Sequence, residues 1–154
     1  MKKIMFLIAC LFFGSTHSLK FLVVDDTAMI RNILTNVLHS MGYYDFIEAV
    51  DGQDAFSKYY SYKPDVIITD FNMPRMNGIQ LTYEIRKSDH STKIIMITGE
   101  NDQRIISDAM RAGVNQYLTK PVHPEQLRDA IRRVLLGRSI DIDDTDDNNQ
   151  NEFN

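Results

Sequence analysis

The sequence predicts an α/β protein with a parallel sheet, and three observations carry that prediction. Five short apolar runs alternate with five stretches of helical periodicity, the pattern of repeated strand–helix units. The longer runs are continuous rather than alternating, as strands covered on both faces are. Four of the five run into a polar or charged residue, which puts chemistry at the carboxyl edge of the sheet, where open α/β proteins form their sites.

Phe21-Leu22-Val23-Val24 is the first strand and runs into Asp25-Asp26. Thr27 is placed to cap a helix whose apolar residues Ile30, Ile33, Leu34, Val37, Leu38 and Met41 fall at helical spacing, with Gly42 as its C-terminal cap. Phe46-Ile47-Glu48-Ala49 reads as a second, weaker strand, followed by a helix over residues 52–60. Pro64 precedes the third strand, residues 66–69, which ends in Asp70. After a loop through Asn72-Met73-Pro74, a helix is predicted over 79–87 with Ile79, Leu81 and Ile85 turned inward. The fourth strand, Lys93-Ile94-Ile95-Met96-Ile97, ends in Thr98-Gly99. Asn101 is placed to cap a helix that Gly113 stops. The fifth strand, Gln116-Tyr117-Leu118-Thr119, ends in Lys120-Pro121, and a last helix covers 125–136.

The 154 residues suit one domain with a real core, and the hydrophobic share of 44% and charged share of 25% are those of an ordinary globular protein. The net charge of −4 is unevenly spread: all 17 Lys and Arg lie in residues 1–138 with 15 acids, while the last 16 residues hold six acids and no base. No basic stripe marks a nucleic-acid surface, so nucleic acid is not an expected partner. Residues 139–154 are too polar to bury a core and are expected to be a disordered acidic tail. Cys10 is the only cysteine, so an intrachain disulfide is excluded.

Residues 1–18 form an apolar N-terminal extension. Lys2 and Lys3 precede ten uncharged residues, 4–13, in the outline of a signal peptide, and Leu7-Ile8-Ala9-Cys10 resembles a lipoprotein processing box. Three readings stay open: sequence upstream of a misplaced start, an export signal, or a membrane-surface anchor. A span is excluded, because ten apolar residues fall short of the roughly 20 that cross a bilayer. Any membrane association is expected through this segment alone.

The strand ends bring Asp25, Asp26, Asp70, Thr98 and Lys120 to one edge. Singly, each has an ordinary explanation: helix-capping acids, an Asx turn, a turn threonine, a surface lysine. Together they do not. Carboxylates ~5 Å apart at an effective dielectric of ~20 repel by roughly 3 kcal/mol per pair, more than one lysine offsets. A divalent cation balances them, and an all-oxygen donor set favours Mg²⁺. With the cation bound, Asp70 is placed to attack phosphorus as a carboxylate nucleophile, with Lys120 and the Thr98 hydroxyl on the phosphoryl oxygens.

These residues resemble the receiver domain of response regulators, and most of all the single-domain chemotaxis regulators. The resemblance rests on Leu19-Lys20-Phe21-Leu22-Val23-Val24-Asp25-Asp26, on Asp70-Phe71-Asn72-Met73-Pro74 with Asn77-Gly78, on Thr98-Gly99 and on Lys120-Pro121, over residues 19–138. It implies a flavodoxin-like (βα)5 sandwich whose five-stranded parallel sheet has the order 2-1-3-4-5. Asp70 would be the phosphoacceptor; Asp26, Asp70 and the Asn72 carbonyl would hold Mg²⁺, with Asp25 acting chiefly through water. Thr98 and Tyr117 would form the switch, Asn72 and Glu100 would tune phosphoryl lifetime, and Lys120-Pro121 would be cis.

The expected function is therefore a stand-alone response regulator of a two-component phosphorelay, not an enzyme. A cytoplasmic histidine kinase would donate the phosphoryl group and an unidentified target would read the last two helices and fifth strand, where Arg104, Arg111, Arg128 and Arg132 read either as an ordinary solvated helix face or as a docking face for an acidic partner. Two other readings compete. One is a degenerate receiver that only binds partners. The other is a phosphatase of the haloacid dehalogenase type, which wants an aspartate where Asn72 stands. A DNA-binding regulator is not expected, since no second domain follows Leu136.

Overall fold

The computed structural model describes residues 18–99 and 101–137. The expectations for residues 1–17, for Glu100 and for residues 139–154 fall outside the described residues. In chain order the elements are β1 (Phe21–Val24), α1 (Ala28–Ser40), β2 (Phe46–Ala49), α2 (Gly52–Tyr62), β3 (Val66–Asp70), α3 (Gly78–Arg86), β4 (Lys93–Thr98), α4 (Gln103–Ala112), β5 (Gln116–Thr119) and α5 (Pro124–Leu135). All four strand pairings are parallel and the sheet order is β2-β1-β3-β4-β5, as the resemblance implied.

Side chains alternate across each strand, and this alternation divides the core in two. Phe21, Val23, Val66, Ile68, Ile95 and Ile97 meet Leu34 and Leu38 of α1 and Leu127 and Ile131 of α5. Leu22, Val24, Ile67, Ile94 and Met96 meet Ala55 and Tyr59 of α2, Leu81 and Ile85 of α3 and Ala109 of α4. Burying each large aliphatic side chain contributes ~1.5–3 kcal/mol, which explains why β1, β3 and β4 read as continuous apolar runs. Edge strand β2 is only half-buried along Phe46-Ile47-Glu48, and it was the weaker signal for that reason.

Element ends depart from the sequence-based expectations where local hydrogen bonds decide them. Gly42 does close α1 as expected: it follows the C-cap residue Met41 with φ +84°, its N–H donates to the His39 carbonyl at 3.0 Å, and the Tyr43 N–H donates to the Leu38 carbonyl at 3.0 Å. Thr27 precedes α1, but its hydroxyl donates to Asp26 rather than capping the helix. Helix α2 runs to Tyr62, until Lys63 turns left-handed ahead of Pro64. Asp102 rather than Asn101 caps α4, its carboxylate accepting the Arg104 N–H at 2.8 Å. Ile33 sits at helical spacing but is 36% exposed, off the face that packs. Asn77 caps α3 in a reciprocal box with Gln80.

Candidate functional site

The parallel register builds the site. Val24 pairs with Thr69, so Asp25 follows β1 beside Asp70, the last residue of β3. Asp70 pairs with Ile97, and the Phe71 N–H donates to the Ile97 carbonyl at 2.9 Å, which fixes the end of β3 against β4. Thr98 ends β4 opposite Thr119, and its carbonyl accepts the Lys120 N–H at 2.7 Å. Asp25, Asp70, Thr98 and Lys120 thus arise on four adjacent strand ends.

Their side chains converge. Lys120 Nζ lies 3.1 Å from Asp25 Oδ2 and 3.1 Å from Asp70 Oδ1. The other Asp25 oxygen accepts the Thr27 N–H at 2.8 Å. Asp26 is exposed, and together with Asp25 and Asp70 it offers carboxylate oxygens that all lie within 4.8 Å of one another. Asp25 is 1% exposed and Asp70 4%. Burial pushes the Asp70 carboxyl above the usual carboxylate range even though Lys120 pulls the other way. At Lys120 burial works against the charge, yet the Asp70 and Asp25 carboxylates win and raise the ammonium above its ordinary value.

Three carboxylates against one ammonium leave the cluster with excess negative charge. Its donors are all oxygen, and two of its three carboxylates are withdrawn from water. That set fits a hard divalent cation such as Mg²⁺. Asp26 and Asp70, with Asp25 beside them, are the side chains that would hold it. Asn72 is exposed in the loop two residues past Asp70.

Thr98 is wholly buried, while Tyr117 is half-buried and pairs with Met96. Since Met96 and Thr98 are two residues apart on β4, Thr98 and Tyr117 lie on the same face of the sheet, the one that carries α4. The four arginines expected to make a basic face are each met locally: Arg104 by Asp102, Arg111 by Asp108, Arg128 by Glu125 and Arg132 by Asp129. The expected positive surface is correspondingly weaker, because each helix carries its own counter-charge.

Several further residues support the site, most of them without a signal in the sequence. Arg31 of α1 donates to the Asp25 carbonyl at 2.8 Å and to Glu48 of β2 at 2.7 Å. Asp51, fully buried, caps α2 and pairs with Arg75 from the β3–α3 loop. Gly78 packs so closely on the Asp70 carbonyl that a Cβ there would collide with it. Only Gly78 had a recognisable signal, as the turn residue that opens α3. The arginine contacts depend on which loops the topology makes neighbours. The Lys120–Pro121 bond is cis.

The family model for the response regulator receiver domain matches residues 21–132, and the chain belongs to that family. Within it, the likeness is to the CheY type. The chain is 40% identical over 120 residues to chemotaxis protein CheY1 of Helicobacter pylori, covering 76% of this chain and 97% of that one. It is 36% identical over 113 residues to chemotaxis protein CheY of Thermotoga maritima, covering 73% and 94%. Among solved structures, response regulator CheY4 of Vibrio cholerae superposes with a TM-score of 0.71 at 32% identity, over 77% of this chain and 99% of that one. A CheX–CheY complex with BeF3 and magnesium from Borrelia burgdorferi gives 0.73 at 26% identity, over 76% and 89%.

Proposed function

We propose that this signalling protein is a phosphoacceptor switch in a two-component phosphorelay, with Asp70 as the acceptor. The observation that carries the proposal is Lys120 Nζ at 3.1 Å from both Asp25 and Asp70, within a cluster of three carboxylates. A histidine kinase supplies the phosphoryl group. An Asp70 carboxylate oxygen attacks phosphorus, the P–N bond to the kinase imidazole breaks, and an acyl phosphate forms while the imidazole leaves with its electron pair. Bound Mg²⁺ supplies neutralisation of the phosphoryl charge. Lys120 then exchanges an Asp70 oxygen for a phosphoryl oxygen, and the Thr98 hydroxyl donates to another. Burial of Asp70 keeps competing water from the reacting carboxylate.

Thr98 and Tyr117 share a sheet face, so a shift of Thr98 toward the phosphoryl group opens room into which the Tyr117 ring turns. This alters the α4–β5–α5 surface that a downstream protein reads. Asn72, at the mouth of the site, and Glu100 tune how fast water removes the phosphoryl group. The likeness to chemotaxis proteins makes motility control the process we favour, in the cytoplasm, where ATP feeds the kinase. The receiver unit is residues 19–138, with 139–154 as an appended acidic tail. Among the described residues no helix is long and apolar enough to cross a membrane.

The test is phosphoryl incorporation from acetyl phosphate, with and without Mg²⁺, beside Asp70→Asn. Incorporation that needs Mg²⁺ and disappears in the variant is expected. Incorporation that survives Asp70→Asn removes the acceptor role, and none by the folded wild type favours a binding-only receiver.

A further inference from the structure

Asp25 and Asp26 lie just past β1, and the sheet order sets β1 between β2 and β3. The turn after β2 and the loop after β3 therefore flank the carboxylate cluster from its two sides, and one ion pair joins them. Asp51, wholly buried at the start of α2, uses one carboxylate oxygen to accept the Asp54 N–H at 2.9 Å. The other oxygen pairs with Arg75, in the middle of the β3–α3 loop. Arg75 adopts φ +66°, a left-handed conformation unusual for a side chain of its size. The loop around it is closely seated. A Cβ on Gly52 would collide with the Met76 carbonyl, and Gly78 N–H closes back on the Phe71 carbonyl at 2.9 Å. Asn72 lies within this closed loop, three residues before Arg75.

We infer that Arg75 is a positioning residue for the cation site: its pair with Asp51 ties the β3–α3 loop to α2 and so holds the Asn72 backbone in place beside the Asp25–Asp26–Asp70 cluster. The inference rests on the proposed binding of Mg²⁺ there. It differs in sign from a plain charge effect. Arg75 is a cation near a cation site, so if charge were its only influence, removing it would tighten Mg²⁺ binding. If it positions the loop, removing it weakens binding.

Calorimetric titration of the full chain with Mg²⁺, at fixed ionic strength, separates the two. Arg75→Ala is expected to bind about 10- to 100-fold more weakly, the usual effect of losing a supporting contact behind a metal ligand. Arg75→Lys, which keeps a cation but not the planar fork, recovers part of the loss. Asp51→Asn retains an acceptor for the α2 cap and loses the ion pair, so it weakens binding on the same scale. Arg75→Asn, which also removes the charge and whose short side chain tolerates the left-handed backbone, stands in should Arg75→Ala fail to fold, with the same weakening expected. Adding Asp51→Asn to Arg75→Ala weakens binding no further, because one contact is lost in both. Unchanged or tighter binding by Arg75→Ala overturns the positioning role while leaving the site intact. No Mg²⁺ binding by the wild type overturns the site itself, and the inference with it.

Discussion

Asp70 is held in a state that costs the fold stability. Burial raises its carboxyl above the ordinary value of 3.8, and Lys120 only partly offsets that. A carboxylate raised in the fold contributes its full stability below the unfolded pKa and loses it as pH climbs through the folded value. Ionised Asp70 is therefore destabilising at neutral pH when no divalent cation is present. Asp70→Asn, unfolded by urea in chelator at pH 7, should be more stable than wild type by about 0.5–2 kcal/mol, in keeping with other functional-site replacements. The gain should vanish once pH falls below the unfolded carboxylate range. A variant less stable than wild type at pH 7 would mean that Lys120 binds Asp70 more strongly than burial opposes it. Lys120 itself had no signal as a lone residue in the sequence. Its meaning came from standing at a strand end opposite two aspartates.

At the scale of elements, the pole opposite the site is tied together by one carboxylate and one guanidinium. Asp89, just past α3, accepts from Tyr59 of α2 at 2.6 Å, from the Ser91 N–H and hydroxyl at 2.6 Å, and from the Thr92 hydroxyl at 2.6 Å. Arg86 donates to the carbonyls of Gly113, Asp89 and Thr92 and to Asn115, which joins the ends of α3 and α4 to the start of β4. Burial alone would raise the Asp89 carboxyl, but the hydrogen bonds from Ser91, Thr92 and Tyr59 hold it well below the usual range. The same proximity, after burial, pushes the Tyr59 hydroxyl up to about 12. A depressed carboxylate stabilises the fold above its unfolded pKa and ceases to as pH falls toward the folded one. Asp89→Asn should thus lose about 1–3 kcal/mol at neutral pH, and the difference from wild type should shrink below pH ~4. A difference that persists undiminished in acid would show that shape, not charge, is what Asp89 contributes. The helices and central strands were legible because apolar spacing reports burial directly. Helix ends were less so: whether Asn101 or Asp102 caps α4, or whether α2 stops at residue 60 or 62, turns on single hydrogen bonds that neighbouring residue types offer equally well.

Across the whole molecule, the parallel register does most of the functional positioning. Four strands end level with one another, so residues from Asp25 to Lys120 meet at 3.1 Å without any long-range feature of the sequence linking them. The periodicity identified the α/β class, whereas the strand order came from the family resemblance, since apolar runs carry no information about which run is central. The Asp51–Arg75 pair was illegible for the same reason: it joins loops that become neighbours only once β1 lies between β2 and β3, while Arg31–Glu48 needs β2 paired with β1. On α4 and α5 the arginines are met by acids one turn away, which favours the ordinary solvated helix face among the two readings the sequence left open.

If Asp70 takes the phosphoryl group as an acyl phosphate, the bond can be trapped chemically. The most direct measurement is borohydride trapping: the full chain is phosphorylated with Mg²⁺ and a small phosphodonor, reduced, digested and sequenced by mass. Reduction of an aspartyl phosphate leaves homoserine at the modified position, and the prediction is homoserine at residue 70 alone. Homoserine at residue 25 or 26, or phosphate carried without any homoserine, would contradict it.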